Sequence, residues 1–189
     1  MLTWIALTGK GVNSIVGGSG ELCLSVGFRV GVDLLFRGVN AVNLDTKGRM
    51  AVPAKYRDRL QDESEGRLIA TVDLSNSTER CLVVYPEPKW EEVERKLMAL
   101  PSMNPAVKKM QRLLLGYASE CQLDGQGRIL VSPSLREYAG IDKKVVVVGQ
   151  GFKFEVWKEE TWNEQSNMWL EDAAASLDQL PDELKTLSF

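Results

Sequence analysis

The alternation of apolar and polar positions becomes regular at residue 36 and predicts a first series of elements up to residue 100. Period-two alternation indicates strands, whereas apolar residues that recur every three or four positions indicate helices. In chain order the pattern predicts a strand over 41–45, a turn at DTKG, a strand over 49–52, a short helix over 54–60, strands over 67–72 and 81–86, and a helix over 88–100.

A second series follows in the same order over residues 118–175. Ser132 and Gly140 are suited to begin and end its short helix, because Ser caps helix N-termini and Gly adopts the left-handed C-terminal conformation. The apolar stripe of residues 101–117 predicts a helix that connects the two series. The second series comprises strands over 119–124 and 128–131, a helix over 134–139, strands over 143–149 and 153–157, and a helix over 161–174.

The two series are copies of one unit. LDTKGR and LDGQGR place Asp124 79 residues after Asp45, and the later segments align Trp90 with Trp162. One unit of four strands would have a thin core by itself, so two copies are expected to share one core about a pseudo-two-fold axis. We therefore predict an α+β fold of two intertwined pseudo-repeats, 36–100 and 118–175.

The first 35 residues differ from the rest of the chain. They are rich in Gly and Val, nearly uncharged, and show no sustained helical or strand period. We interpret residues 1–35 as a non-native N-terminal extension, because a leucine codon can serve as a bacterial start and Leu35 directly precedes FRGVNAVNLD. The alternative is one or two additional strands. At the other end, residues 176–189 are interpreted as an acidic tail.

Charge is unevenly distributed along the chain. The formal net charge is −3, but the stretch from Glu155 to Lys185 carries nine acidic residues against two lysines. Residues 36–154 are correspondingly basic. This asymmetry is typical of a basic binding surface beside an acidic tail.

Composition argues against several classes of function. The chain has no histidine, no metal-ligand cluster and no glycine-rich phosphate loop, so we expect no catalytic residues, no metal and no cofactor. The three cysteines form no CxxC pair, which favours free thiols in a reducing compartment. No segment is apolar enough over sufficient length to predict a membrane span.

The repeated Leu-Asp-x-x-Gly-Arg motif is the strongest candidate for chemistry. Asp and Gly suit a tight turn, and Asp paired with Arg across it is a sufficient structural reason for one copy. A turn does not require Arg twice, however. A carboxylate that holds a guanidinium fixes its planar fork for guanine or phosphate, and a two-stranded ribbon fits the major groove. The candidate DNA-binding residues are Asp45, Lys47, Gly48, Arg49, Lys55, Arg57, Asp124, Gly127 and Arg128.

Three longer stretches resemble the MraZ family of bacterial regulators. They are FRGVNAVNLDTKGRMAVPAKYRDRL, SMNPAVKKMQRLLLGYASECQLDGQGRILVSPSLREYAGI and VVVVGQGFKFEVW, and the resemblance extends from Phe36 essentially to the C-terminus. In that family an initiator Met precedes Phe-Arg-Gly. The family's Asp-x-x-x-Arg motif is matched here at Asp45/Arg49 and at Asp124/Arg128.

The resemblance implies a tandem AbrB-like swapped-hairpin β-barrel, a pseudo-dimer with short helices. It implies sequence-specific binding to repeated sites in double-stranded promoter DNA of the division and cell-wall gene cluster, including the chain's own promoter. It further implies assembly into a homo-oligomeric ring, and a cytoplasmic, nucleoid-associated location without a membrane partner.

Two other functions are compatible with the sequence. The same fold could form an oligomeric scaffold that does not bind DNA, or an antitoxin-like module that binds a protein through its acidic tail. The basic face of the connecting helix is either a solvated surface or a DNA contact. The tryptophans at 90, 162 and 169 belong either to the core or to a subunit interface.

Overall fold

The computed structural model describes residues 36–75, 79–101 and 103–176. These residues form an α+β fold with a mainly antiparallel sheet. The elements of the first repeat are β1 (Val39–Asn43), β2 (Arg49–Ala51), α1 (Ala54–Ser64), β3 (Arg67–Val72), β4 (Leu82–Pro86) and α2 (Glu87–Met98). The remaining elements are α3 (Pro105–Gly116), β5 (Ser119–Gln122), β6 (Arg128–Leu130), α4 (Pro133–Ala139), β7 (Lys144–Gly149), β8 (Phe154–Lys158) and α5 (Glu159–Ser176).

The repeats exchange strands. The six-stranded sheet has the order β1-β7-β8-β4-β3-β5. Thus β1 of the first repeat pairs antiparallel with β7 of the second, and β5 of the second pairs antiparallel with β3 of the first. The two repeats also meet through β4 and β8 at the centre of the sheet. Neither repeat completes its own sheet, as the shared-core prediction requires.

A separate two-stranded ribbon follows directly from the two copies of the repeated motif. Strands β2 and β6 pair antiparallel, with Arg49 opposite Leu130 and Ala51 opposite Arg128. The ladder continues at both ends, because the Val52 N–H donates to the Gly127 carbonyl and the Val131 N–H donates to the Gly48 carbonyl. The ribbon therefore contains one strand from each repeat.

One core joins the inner face of the large sheet, the ribbon and the helices α1 and α4. Phe36 is fully buried, and its ring meets those of Tyr56 and Phe154 edge-to-face at centroid distances of 4.9 and 5.3 Å. Tyr56 comes from α1, whereas Phe154 comes from β8 of the other repeat. The core is thus built from both repeats at its largest side chains.

Helices α2, α3 and α5 cover other parts of the sheet. Helices α2 and α3 contact β3, whereas α5 contacts β7 and β8. Trp90 is buried, so it belongs to the packing of α2. Trp162 and Trp169 pack with Trp157 of β8, with ring centroids 5.7–6.0 Å apart. Trp169 nevertheless stays 40% exposed.

Most predicted elements are present, with shifted ends. Helix α1 runs four residues beyond its predicted end and stops where Glu65 adopts the left-handed conformation, with φ 54°. Gly140 ends α4 in that conformation, as predicted. Ser132 occupies the N-cap position of α4, as predicted, although its side chain makes no capping hydrogen bond; its hydroxyl lies 3.2 Å from that of Ser134.

The predictions for residues 1–35 and for the acidic tail beyond Ser176 lie outside the described residues.

Candidate nucleic-acid interface

The first turn is organised around the carboxylate of Asp45. One oxygen, Oδ1, accepts the backbone N–H groups of Lys47 and Arg49, both at 2.9 Å. The other, Oδ2, accepts Nε and Nη2 of Arg49, both at 2.7 Å. An aspartate that accepts from the backbone two residues later is a common way to close a tight turn. Here the same side chain also fixes the guanidinium.

The second turn repeats this geometry. Asp124 Oδ1 accepts the backbone N–H groups of Gln126 and Arg128, both at 2.9 Å. Its Oδ2 accepts Nε and Nη2 of Arg128 at 2.9 and 2.8 Å. The four side chains of the two pairs are between 24% and 34% exposed. Both copies of the motif, DTKGR and DGQGR, therefore hold an arginine in the same orientation.

Glycine is required at one position of each turn. Gly48 and Gly127 have φ values of +77° and +73°, a region that side chains with a Cβ rarely adopt. A Cβ on Gly48 would also lie 3.0 Å from the guanidinium of Arg136, and one on Gly127 would collide with Arg57. The positive φ angle and the lack of room for a Cβ atom both explain why Gly precedes Arg in each motif.

The ribbon places the two turns together. Arg128 Nη1 lies 3.6 Å from Asp45 Oδ2, so a guanidinium of the second repeat reaches the carboxylate of the first. Because β2 pairs with β6 along their whole length, this contact is a consequence of the strand exchange and not of sequence proximity. The two motifs thus form one site.

Two further arginines complete the site, each from the helix of the opposite repeat. Arg57 of α1 lies against Gly127, and its Nε donates to the Val52 carbonyl at 2.8 Å. Arg136 of α4 lies against Gly48, and its Nε donates to the Val131 carbonyl at 3.2 Å. Each helix therefore supports the turn of the other repeat through an equivalent arginine.

Arg136 is not among the candidates that the sequence pattern predicts. The available signal was the repeat spacing itself, since Arg136 follows Arg57 by the same 79 residues that separate the two aspartates. The intervening local sequences, AKYR and PSLR, share only this arginine, which hides the equivalence.

The predicted lysines occupy different surroundings. Lys47 is exposed at the tip of the first turn, where only its backbone N–H contacts Asp45. Lys55 is also exposed, but its ammonium lies 5.4 Å from the centre of the Tyr56 ring and close to Gly38, at the beginning of β1. Lys47 therefore belongs to the turns, whereas Lys55 lies beside the neighbouring strand.

We call the seven charged residues at the ribbon the turn cluster. It has five cations against two carboxylates. Its members are Asp45, Lys47, Arg49, Arg57, Asp124, Arg128 and Arg136.

Both carboxylates of the turn cluster remain ionised at physiological pH. Backbone and side-chain hydrogen bonds from Arg49 lower the pKa of Asp45 from 3.8 to about 2. Side-chain and backbone hydrogen bonds from Arg128 lower the pKa of Asp124 to about 2 as well. A folded-state pKa below the ordinary value means that the stabilising contribution is fully present above about pH 4 and is lost as the pH falls toward 2. The arginines are thus held over the whole neutral range.

Other chemistry has little support in the described part of the chain. No group of three or more His, Cys, Asp or Glu residues there could hold a metal ion. Cys81 and Cys121 are free and buried, and burial raises the pKa of both thiols, that of Cys121 to about 11. Reactive cysteines have the opposite character, with lowered pKa values and solvent access.

None of the helices in the described ranges combines the length and the apolar character needed to cross a membrane.

Comparison with known proteins gives a consistent result. A family model described as "MraZ protein, putative antitoxin-like" matches this chain twice, over residues 35–113 and 114–185. A protein named transcriptional regulator MraZ from Halorhodospira halophila is 53% identical over 154 residues, which are 82% of this chain and 99% of that protein.

Two more relatives carry the same name. The protein from Thioalkalivibrio sulfidiphilus is 56% identical over 138 residues, or 73% of this chain and 89% of its own length. That from Methylococcus capsulatus is 50% identical over 156 residues, or 82% and 100%. These relatives are named as regulators and not as enzymes, which agrees with the expectation of a non-enzymatic protein.

Proposed function

The chain belongs to the MraZ family, and on that premise we propose that it is a transcriptional regulator that binds double-stranded promoter DNA sequence-specifically through the turn cluster. One observation carries the proposal: the two arginines held by Asp45 and Asp124 are brought together on one ribbon, where Arg128 Nη1 lies 3.6 Å from Asp45. Each turn could close without its arginine, and a core shared by two repeats does not require the two arginines to lie next to each other.

The orientation of the two arginine side chains suits base recognition. In Arg49, Asp45 engages Nε and Nη2 and leaves Nη1 and the second hydrogen of Nη2 as donors. These donors form the far edge of the guanidinium, which matches the O6 and N7 acceptors of guanine. One such pair contributes about 1–3 kcal/mol of discrimination between bases. A two-stranded ribbon is narrow enough to carry this edge into the major groove.

The remaining cations are proposed to bind phosphates. Arg57 lies against Gly127 of one turn, Arg136 lies against Gly48 of the other, and Lys47 is exposed at the tip. Lys55 lies beside the neighbouring strand and would contact the backbone farther along the duplex. Gly48 and Gly127 contribute by leaving room for the guanidinium groups of Arg136 and Arg57 on the turns, since neither glycine has a side chain.

The wider features implied by the family are also proposals. The chain acts on repeated sites in the promoter of the division and cell-wall gene cluster, including its own promoter, and is cytoplasmic and nucleoid-associated. It forms a homo-oligomeric ring, which raises apparent affinity because several turn clusters engage tandem sites at high effective concentration.

Two structural proposals accompany these. The β2–β6 ribbon closes the six-stranded sheet into a swapped-hairpin barrel, since β1 contacts β2 and β5 contacts β6. The repeats span 36–100 and 118–175 with the helical segment 101–117 between them.

The proposal is tested by binding the full chain to DNA from its own upstream region and to a scrambled duplex of equal length, over a range of salt. We expect tighter binding to the upstream DNA and a steep loss of affinity as salt rises, because cations that contact phosphates release counterions. Equal affinity for both duplexes would contradict sequence-specific binding. An absence of any shift at low salt would favour the oligomeric scaffold or the antitoxin-like module.

Replacing Arg136 tests the enlarged site in the same assay. Arg136→Ala should reduce the slope of log affinity against log salt by about 0.9 for each subunit bound, the value for one lost phosphate contact. Arg136→Lys should keep the slope, because the charge remains. Arg95→Ala on α2 is the control for loss of one arginine charge, since Arg95 is exposed on a helix outside the turn cluster. An unchanged slope in Arg136→Ala would show that the residue only supports the turn.

A further inference from the structure

Two exposed apolar surfaces of opposite charge lie on the outer helices, away from the turn cluster. The first, which we call the basic patch, is formed by α3, the last residue of α2 and the segment between the two helices. Helix α3 contains three leucines and Met110, yet none of its twelve residues is buried within the described structure. The patch comprises Met98, Leu100, Met103, Lys108, Lys109, Met110, Arg112 and Leu113, whose apolar members are 40–88% exposed.

The second surface, the acidic patch, lies on α5. Met168, Trp169 and Leu170 are 55%, 40% and 69% exposed, although their helix packs on β7 and β8. Trp169 is held in place by Trp157, whose ring centroid lies 5.7 Å away at an interplanar angle of 80°. The acidic patch comprises Glu164, Met168, Trp169, Leu170, Glu171 and Asp172.

The charges of the two patches are complementary and unused. Helix α3 contains three cations and no acidic residue, whereas α5 contains five acidic residues and no basic one. Glu159 and Glu160 of α5 are paired with Lys144 and Lys158. Among the described residues, the cations of the basic patch and the carboxylates of the acidic patch form no salt bridge.

One copy of the chain does not bring the patches together. Helix α3 packs on β3 and α2, whereas α5 packs on β7 and β8. Strand β4 lies between β3 and β8 in the sheet, and α2 covers β3 and β4. Each patch therefore faces outward from a different part of the sheet.

We propose that the basic patch of one copy docks on the acidic patch of a second copy. Exposed apolar surfaces of this kind mark protein contacts, and three cations opposite three carboxylates select the partner and its orientation. Because the two patches differ, the contact is head-to-tail, and such contacts generate rings when the rotation closes. The inference rests on the proposed assembly and identifies its surfaces.

A second copy fits the basic patch better than DNA does. A surface for phosphates needs cations but not exposed Met and Leu, and here the apolar residues are interspersed with the cations along one helix. The same helical spacing occurs on α5, where Glu164 and Met168 are four residues apart and Met168 and Asp172 are four apart.

Reversal of charge tests the docking by mass measurement in solution. One variant, Lys108→Glu/Lys109→Glu/Arg112→Glu, and another, Glu164→Lys/Glu171→Lys/Asp172→Lys, each place like charges across the contact. Each should shift the particle from the wild-type oligomer to the 21.1 kDa monomer. Mixing the two variants should restore the oligomer, since every contact then pairs opposite charges. The chain with all six reversals should also regain the wild-type mass.

The possible outcomes separate this inference from the proposed function. Triple variants that keep the wild-type oligomer, or a mixture that stays monomeric, would overturn the docking while leaving DNA binding untouched. A wild-type chain that is itself monomeric would overturn both the ring and the docking. Affinity for a duplex with a single site should be unchanged in the α3 variant, and a loss there of more than tenfold would identify α3 as a DNA surface instead. Unchanged circular dichroism verifies the fold of each variant.

Discussion

Arg49→Ala is expected to weaken binding to a duplex with one site by about 10- to 100-fold, which corresponds to the loss of one guanine-reading fork. On tandem sites the loss should be larger, because every subunit of the assembly loses its contact. Stability should change by less than about 1 kcal/mol, since the Arg49–Asp45 pair is one-third exposed and surface pairs contribute little. Fluorescence anisotropy and chemical denaturation measure the two effects.

A conservative variant distinguishes base reading from charge. Arg49→Lys keeps the cation but cannot present two parallel donors, so affinity for a scrambled duplex should be retained while preference for the promoter sequence falls. Arg95→Ala, an exposed arginine on α2, serves as the control for loss of one positive charge. If Arg49→Ala bound the promoter like the wild type, the role assigned to the first turn would be wrong.

The second large effect concerns the strand exchange. A fragment of residues 36–101 should not fold as a cooperative monomer, because β1 and β2 lose their partners β7 and β6, and β3 loses β5. The same holds for residues 102–189. Co-expressed, the two fragments should copurify in equal amounts, since the core is assembled from both repeats. Thermal unfolding and mass in solution measure these outcomes.

A cleavable full-length chain is the control for this experiment. A protease site inserted at position 102 should allow the chain to be cleaved without separation of the two halves, because the contacts that join the repeats remain. If the fragment 36–101 were monomeric and unfolded cooperatively near the unfolding temperature of the full chain, each repeat would have its own core.

The sequence predicts the parts of the fold that depend on the local pattern of apolar and polar residues. The 79-residue spacing revealed the repeat, and the alternation of apolar residues located most of the strands and helices. The same alternation does not reveal which strands pair with each other. Alternation shows which side chains share a face, but β1 could pair with any strand of suitable pattern, and only packing selects β7.

The candidate site shows the same difference between local features, which the sequence pattern contains, and long-range contacts, which it does not. The pairing of Asp45 with Arg49 and of Asp124 with Arg128 follows from the sequence, because both members of each pair lie within five residues. The role of Arg136 does not, because it depends on a turn 88 residues earlier in the chain, at Gly48. Likewise, Ser132 is a good capping residue by type, but its hydroxyl faces Ser134 and not the backbone. Long-range contacts decide such cases, and a local pattern does not contain them.

The central claim is that duplex DNA lies against the paired turns, and site-specific photo-crosslinking measures this most directly. A crosslinking residue would replace Lys47 or Gln126, which are exposed at the two tips, or Glu91, which is exposed on α2. With promoter DNA bound, both tip positions should crosslink to the duplex and the α2 position should not. Crosslinking at position 91 without crosslinking at either tip would contradict the account.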